Sequence, residues 1–262
     1  LLGFALASYY TGSVFTHEEW FEITTLGILF FSFYSVWMFS VCMNDIADYA
    51  SDCISNTGRP MVSGLLKKED MKMFGLIFFV FAVIGGYLVG HHALYMILVF
   101  IVLSHIYSFP PLNLKRYVFV NSFIIALAAL SAMIAGFYTV SETAYIHSLP
   151  SNWVILVVLM YMMLANIKDI KDVHGDKAAL VYTLPVLFGL HTSKKIIAAL
   201  SVVALILVPV LTHFQVLWYT SVLFSLITGY LLLKKEYKEK QLFMAYFAYI
   251  VMSAFLVVFY SF

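Results

Sequence analysis

Two short segments of the chain carry the same acidic spacing. In NDIADYASD (44–52), Asp45, Asp48 and Asp52 stand three and four residues apart, and in KDIKDVHGD (168–176) so do Asp169, Asp172 and Asp176. At about 100° per residue of an α-helix, offsets of 0, 3 and 7 fall within roughly 60° of arc, so each trio can occupy one helix face. Six carboxylates on two such faces form an oxygen-donor set for hard divalent cations, which suits chemistry on a diphosphate. Mg²⁺ is the expected ion, because it keeps several waters and is bound through a few carboxylates together with phosphate oxygens. Clustered negative charges also repel one another unless a cation neutralises them.

Basic and aromatic residues accompany the acids. Arg59 follows Asp52 by seven residues in NTGRPMVSG, where Gly58 and Pro60 predict a tight turn. The planar fork of an arginine binds two phosphate oxygens at once. Lys115 and Arg116 end YSFPPLNLKR (107–116), whose two prolines interrupt an apolar run, and Lys168, Lys171 and Lys177 surround the second acidic segment. Arg59, Lys115, Arg116 and Lys171 are the candidate diphosphate contacts. Tyr107 belongs at a membrane interface, where its ring face can also stabilise a developing allylic cation. Asn44 and Asn166 begin the two acidic segments and are candidates to orient ligands. His105 and His174 receive no role, and Lys67, Lys68 and Lys72 read equally well as anchors. The two cysteines, Cys42 and Cys53, fall short of the four ligands expected of a zinc site and read as structural.

The elements that must position these residues are membrane spans. The chain is 63% hydrophobic and 11% charged, with a mean hydropathy of +0.95, far from the soluble average. Apolar stretches of transmembrane length predict nine helices, at about 1–15, 23–43, 72–90, 93–109, 118–139, 152–167, 194–212, 216–233 and 241–261. The sequence begins at Leu1 without a methionine, so a further N-terminal segment is expected. Threading nine spans in order puts all fifteen Lys and Arg on one side, opposite loops that hold Glu18, Glu19, Glu22 and Glu142. The positive-inside rule makes the basic side cytoplasmic, and both acidic segments land there. The near-neutral net charge of +1 gives no reason to invoke nucleic acid. No linker or low-complexity tract divides the chain, so 1–262 reads as one membrane domain. The acidic segments close the second and sixth spans, and pseudo-symmetric halves would bring their carboxylate faces together across a central cavity.

At these residues the sequence resembles the UbiA superfamily of intramembrane prenyltransferases. NDIADYASD with Arg59-Pro60 is similar to that family's first acidic motif and the turn after it. Tyr107 through Lys115 and Arg116 resembles its tyrosine–lysine segment, and KDIKDVHGDK with TLPVLFG (183–189) resembles its second acidic motif and trailing loop. The resemblance implies an all-α membrane fold of nine helices around a central cavity, with a cytoplasmic cap and a lateral opening to membrane lipid. It implies that Asn44, Asp48 and Asp52, with Asp45 beside them, and Asp169, Asp172 and Asp176 hold Mg²⁺ on an isoprenyl diphosphate. Arg59, Lys115 and Arg116 then grip the diphosphate, and Asp48, Asp52, Asp172, Asp176, Tyr107 and Lys115 carry catalysis. The implied reaction moves the isoprenyl group to a hydrophobic acceptor, an aromatic quinone precursor or a lipid. The family's basic and polar segment ahead of the first helix is absent from the sequence, so its contacts are left unassigned.

Three other readings share parts of this pattern. Prenyl transfer to an archaeal-type glycerol-phosphate ether lipid uses the same acidic segments, and a cyclase of the same family would ionise the diphosphate without an external acceptor. A transporter with intramembrane carboxylates would need polar residues near mid-span and a route to the far face, whereas both acidic segments sit at one surface.

Overall fold

A computed structural model describes residues 19–140 and 149–260. Ten helices follow one another, with no strand among the described residues: α1 (Glu19–Ser55), α2 (Lys68–Val89), α3 (His91–Ser108), α4 (Val120–Val140), α5 (Ser151–Leu164), α6 (Asp169–Ala178), α7 (Leu184–Phe188), α8 (Leu190–Thr212), α9 (Leu217–Leu233) and α10 (Glu239–Tyr260). Tight 3-10 turns occupy Leu114–Arg116 and Ala165–Ile167. Eight of the expected spans coincide with helices; the span at 1–15, with Glu18 and Glu142, lies outside the described residues. Six helices (α1, α2, α3, α4, α8 and α10) are long and apolar enough to cross a membrane, and α5 with α6 makes a further, bent candidate. Their outward faces carry large apolar side chains, among them Tyr87, Phe247 and Phe255, as a bilayer solvent permits.

Contacts divide these helices into two compact units. One holds α1, α2, α3 and α4 from Leu127 onward; the other holds the first turns of α4 with α5 to α10. In the first unit Val36, Ala82 and Ile97 form one buried cluster and Leu29, Ala93 and Ala135 another. Glycine lets α2 lie close against α1: a methyl at Gly85 would stand 3.2 Å from Ser32 Cβ and nearer still to its hydroxyl. Such close approach is how helices pack where lipid removes the hydrophobic driving force between them. In the second unit Ile167, Ile170, Leu184, Ile197, Leu232 and Leu242 make the core. Hydroxyls join its helices too: Thr220 bonds Ser253 at 3.0 Å, and Ser221 bonds Tyr249 at 3.0 Å.

Candidate active site

The two acidic segments, alike in spacing, stand on different backbones. The first lies on α1, whose 37 residues measure about 55 Å at 1.5 Å per residue. The hydrocarbon core needs only about 30 Å of that, so the apolar stretch 23–43 is sufficient to span and the turns bearing Asn44, Asp45, Asp48 and Asp52 continue past it. The second segment does not prolong its span. α5 ends at Leu164, the chain tightens through Ala165–Ile167, and α6 starts afresh at Asp169 after a 68° bend. The buried Asn166 lies in the tightened turn just before this bend. Its Nδ2 donates to the carbonyls of Met162 at 2.8 Å and Met163 at 3.3 Å, which the helix would otherwise tie to its own N–H groups. Asn166, expected to orient ligands, spends its Nδ2 on its own helix.

In the first unit every acidic side chain of the segment has a named partner. Asp45, 5% exposed, takes a charged hydrogen bond from Arg59 Nη1. The same guanidinium places Nε 4.0 Å from Asp52 Oδ2, and Asn56 Nδ2 donates to Asp52 Oδ1 at 2.9 Å. Lys115 Nζ binds Asp48 Oδ1, and Asn44 Nδ2 donates to Asp48 Oδ2 at 3.0 Å. The local fold explains the arrangement. The Asn56 amide caps the Asp52 carbonyl at 2.8 Å, and Arg59 N–H closes a turn onto the Asn56 carbonyl at 2.9 Å, so the chain doubles back and returns the guanidinium to the acidic face. Lys115 is drawn in until it is 8% exposed, a position a lysine holds only with a charge partner.

A polar seam ties α3 to this face. Ser104 Oγ donates to Ser40 Oγ at 2.8 Å, and one turn on Ser108 Oγ donates to Asn44 Oδ1 at 3.0 Å. Both pairs are 64 residues apart, and a constant offset means that the two helices run parallel, as two spans joined by one return span must. Tyr107 precedes Ser108 in the last turn of α3 and is half-buried.

In the second unit Asp169 and Asp172 lie in the first turn of α6, where a helix terminus favours negative charge. Asp169 is 3% exposed, and its Oδ2 has no hydrogen-bond partner among the described residues. Thr183 Oγ1 donates to Asp176 Oδ2 at 3.2 Å. Ile170 enters the core between the acids and fixes which face of α6 they leave. Of the expected diphosphate contacts here, Lys171 is exposed and pairs with Glu239 at 2.9 Å, on α10, while Arg116 is exposed and uses its carbonyl to accept from Tyr182 N–H at 2.9 Å.

Among the described residues no three His, Cys, Asp or Glu side chains converge as a ready cage for a metal ion. The donor chemistry nevertheless fits a hard divalent cation: carboxylate oxygens at helical spacing, and at Asp169 a buried oxygen with no hydrogen bond, an arrangement costly unless something binds it. Ser108, Asn56 and Thr183 were not marked by sequence reasoning. The signal for Ser108 was present in the matched spacing of Ser40 and Asn44 against Ser104 and Ser108.

Fold and site together define an integral membrane protein, all-helical in its described residues, with its acidic groups at the ends of apolar helices. The UbiA prenyltransferase family model matches residues 5–251, and the chain belongs to that family. It is 26% identical over 175 residues to a digeranylgeranylglyceryl phosphate synthase of Methanosphaera stadtmanae, covering 66% of this chain and 61% of the relative. A chlorophyll synthase of Oryza sativa subsp. japonica is 30% identical over 163 residues, covering 58% and 42%. The chain thus spans about three fifths or less of these curated relatives. Among solved structures, a UbiA homolog from Archaeoglobus fulgidus bound to GPP and Mg²⁺ superposes with a TM-score of 0.67 at 18% identity, covering 89% of this chain and 85% of that one. A digeranylgeranylglyceryl phosphate synthase structure gives 0.58 at 22% identity, covering 98% and 89%. These likenesses establish the shared fold.

Proposed function

We propose that the chain is a Mg²⁺-dependent prenyltransferase that moves an isoprenyl group from its diphosphate to a hydrophobic acceptor, with its chemistry on the cytoplasmic side of a nine-helix membrane bundle. The observation that carries the reading is the cluster of Asn44, Asp45, Asp48 and Asp52 with Arg59 and Lys115 at the end of a membrane-spanning helix. Membership of the family and a relative solved with GPP and Mg²⁺ support it. Asn44, Asp45, Asp48 and Asp52, with Asp169, Asp172 and Asp176, would hold Mg²⁺, which supplies Lewis-acid stabilisation of the charge that develops on a departing diphosphate. Arg59, Lys115, Arg116 and Lys171 bind the diphosphate oxygens. Arg59 and Lys115 leave their carboxylate partners to do so, and deliver positive charge where the leaving group becomes more negative. Tyr107 offers its ring face to the allylic cation, and the apolar walls keep water away until the acceptor attacks.

The acceptor is an aromatic quinone precursor or a lipid. A glycerol-phosphate ether lipid is favoured by one specific observation, the matches to digeranylgeranylglyceryl phosphate synthases over 64–66% of this chain. The test is release of diphosphate from geranylgeranyl diphosphate by detergent-purified protein, with Mg²⁺ or EDTA and a panel of acceptors. Mg²⁺-dependent release with a prenylated product supports transfer and names the acceptor. Release without any acceptor moves the reading to a cyclase, and no release from any donor by the full-length protein overturns it.

A further inference from the structure

We propose that Ser108 is a positioning residue for the first acidic segment, anchoring Asn44 from a second helix so that Asn44 in turn fixes the carboxylate of Asp48. The argument starts from hydrogen-bond types. An ionised carboxylate only accepts, so the group of Asn44 that faces Asp48 Oδ2 at 3.0 Å must be its NH₂. The amide carbonyl then faces Ser108, and at 3.0 Å the hydroxyl is obliged to donate. The chain of donors therefore has one direction: Ser108 to Asn44, Asn44 to Asp48.

Asn44 and Asp48 belong to the same helix, and by themselves they could pair in more than one rotamer. Ser108 removes that freedom because it comes from α3 and is 4% exposed, leaving little room for water to replace it. Seven residues later the same stretch of chain supplies Lys115 to the other oxygen, Asp48 Oδ1. Segment 108–115 thus holds Asp48 at both oxygens, through an amide on one side and directly on the other. Lys115 gives way when a cation arrives, whereas the Ser108–Asn44 bridge stays, and an outer partner of that kind holds a ligand carboxylate in its binding geometry.

The inference rests on Asp48 serving the divalent cation, and the experiment separates the two. Mn²⁺ binding to the full chain in detergent is measured by the electron paramagnetic resonance of free Mn²⁺, with and without inorganic diphosphate. Three variants are compared with the wild-type chain: Ser108→Ala, Ser108→Cys, which retains a weak donor, and Ser104→Ala. Ser104 makes the equivalent bridge one turn away, to Ser40 at 2.8 Å, and that bridge reaches no carboxylate. Loss of an outer partner costs about tenfold or more in metal affinity. Ser108→Ala should therefore weaken Mn²⁺ binding about tenfold, Ser108→Cys should fall between, and Ser104→Ala should leave affinity unchanged although it removes the same kind of interhelical bond. Equal effects from Ser104→Ala and Ser108→Ala, or none from either, would overturn positioning by Ser108 and leave a packing role. If Ser108→Ala does not fold, the Ser108→Cys and Ser104→Ala pair decides by the same comparison. A wild-type chain that binds no Mn²⁺ even with diphosphate would overturn the metal reading and this one together.

Discussion

Replacing Lys115 by methionine tests whether the resting site is held by the protein's own cations. The ammonium binds Asp48 with side-chain exposures of 10% for Lys115 and 24% for Asp48. Exposed ion pairs contribute about 0–1 kcal/mol, whereas removing one partner of a fully buried pair costs about 3–5 kcal/mol. This pair lies between those limits, and Asp48 keeps the hydrogen bond from Asn44, so a loss of about 2 kcal/mol is expected in EDTA. For a chain of this size that corresponds to roughly 4–8 °C in Tm. Methionine preserves the apolar stem, so the loss reports charge rather than packing. Divalent cations should narrow the difference, because without Lys115 a metal ion meets no competitor at Asp48. Each tenfold by which Lys115→Met binds Mg²⁺ more tightly than the wild-type chain recovers about 1.4 kcal/mol at saturation, so the gap should shrink as Mg²⁺ rises. The assay is thermal unfolding in detergent with EDTA and across a Mg²⁺ titration. A deficit in Lys115→Met that is the same at every Mg²⁺ concentration would refute counter-ion exchange and make Lys115 an ordinary structural partner.

Other perturbations follow from the same geometry. Asp48→Ala and Asp172→Ala should each lower turnover by about three orders of magnitude or more, as removing groups that stabilise a transition state does, with helix content by circular dichroism unchanged; full activity in either would sink the metal–diphosphate scheme. Arg59→Ala should raise the KM for the prenyl diphosphate more than that for the acceptor, and a defect confined to the acceptor would reassign the arginine. Asn166→Leu removes the donor to Met162 and Met163 and should cost about 2 kcal/mol of stability, together with a larger fall in kcat than in substrate affinity; unchanged kcat would show that the bend is not needed for catalysis.

How much of this was legible in the sequence varied with the physics involved. Helix positions were readable because each span is set by the length of its apolar run, and α2, α3 and α8 begin or end within a few residues of the expected bounds. The first acidic face was readable for the same reason, since NDIADYASD continues an uninterrupted helical run. The bend before Asp169 was not, because no proline or glycine marks it; a side-chain amide bonding to carbonyls three and four residues back accompanies it. The partners of the basic residues were also hidden. Repulsion among the carboxylates was foreseen, but Arg59 and Lys115 relieve it from within the chain, and which acid each one meets depends on a turn and a helix pairing that spacing alone does not determine.

Helix polarity gives the two acidic segments different local fields. Asp52 lies in the last turn of α1, where unsatisfied carbonyls make the helix end negative, and Asp45 and Asp48 crowd the same face; Arg59 and Lys115 come back to meet them. Asp169 and Asp172 instead occupy the first turn of α6, and the helix end itself contributes about 0.3–1 kcal/mol of favourable field to each. Lys171 turns outward to Glu239. Its side chain is 41% exposed, and an exposed pair of this kind contributes less than about 1 kcal/mol. Lys171→Ala should therefore leave Tm in EDTA within about 2 °C of the wild-type value, in contrast to Lys115→Met, while weakening inorganic diphosphate binding if Lys171 swings to that ligand. A loss of stability in Lys171→Ala as large as in Lys115→Met would refute the ranking of the two pairs by their exposure.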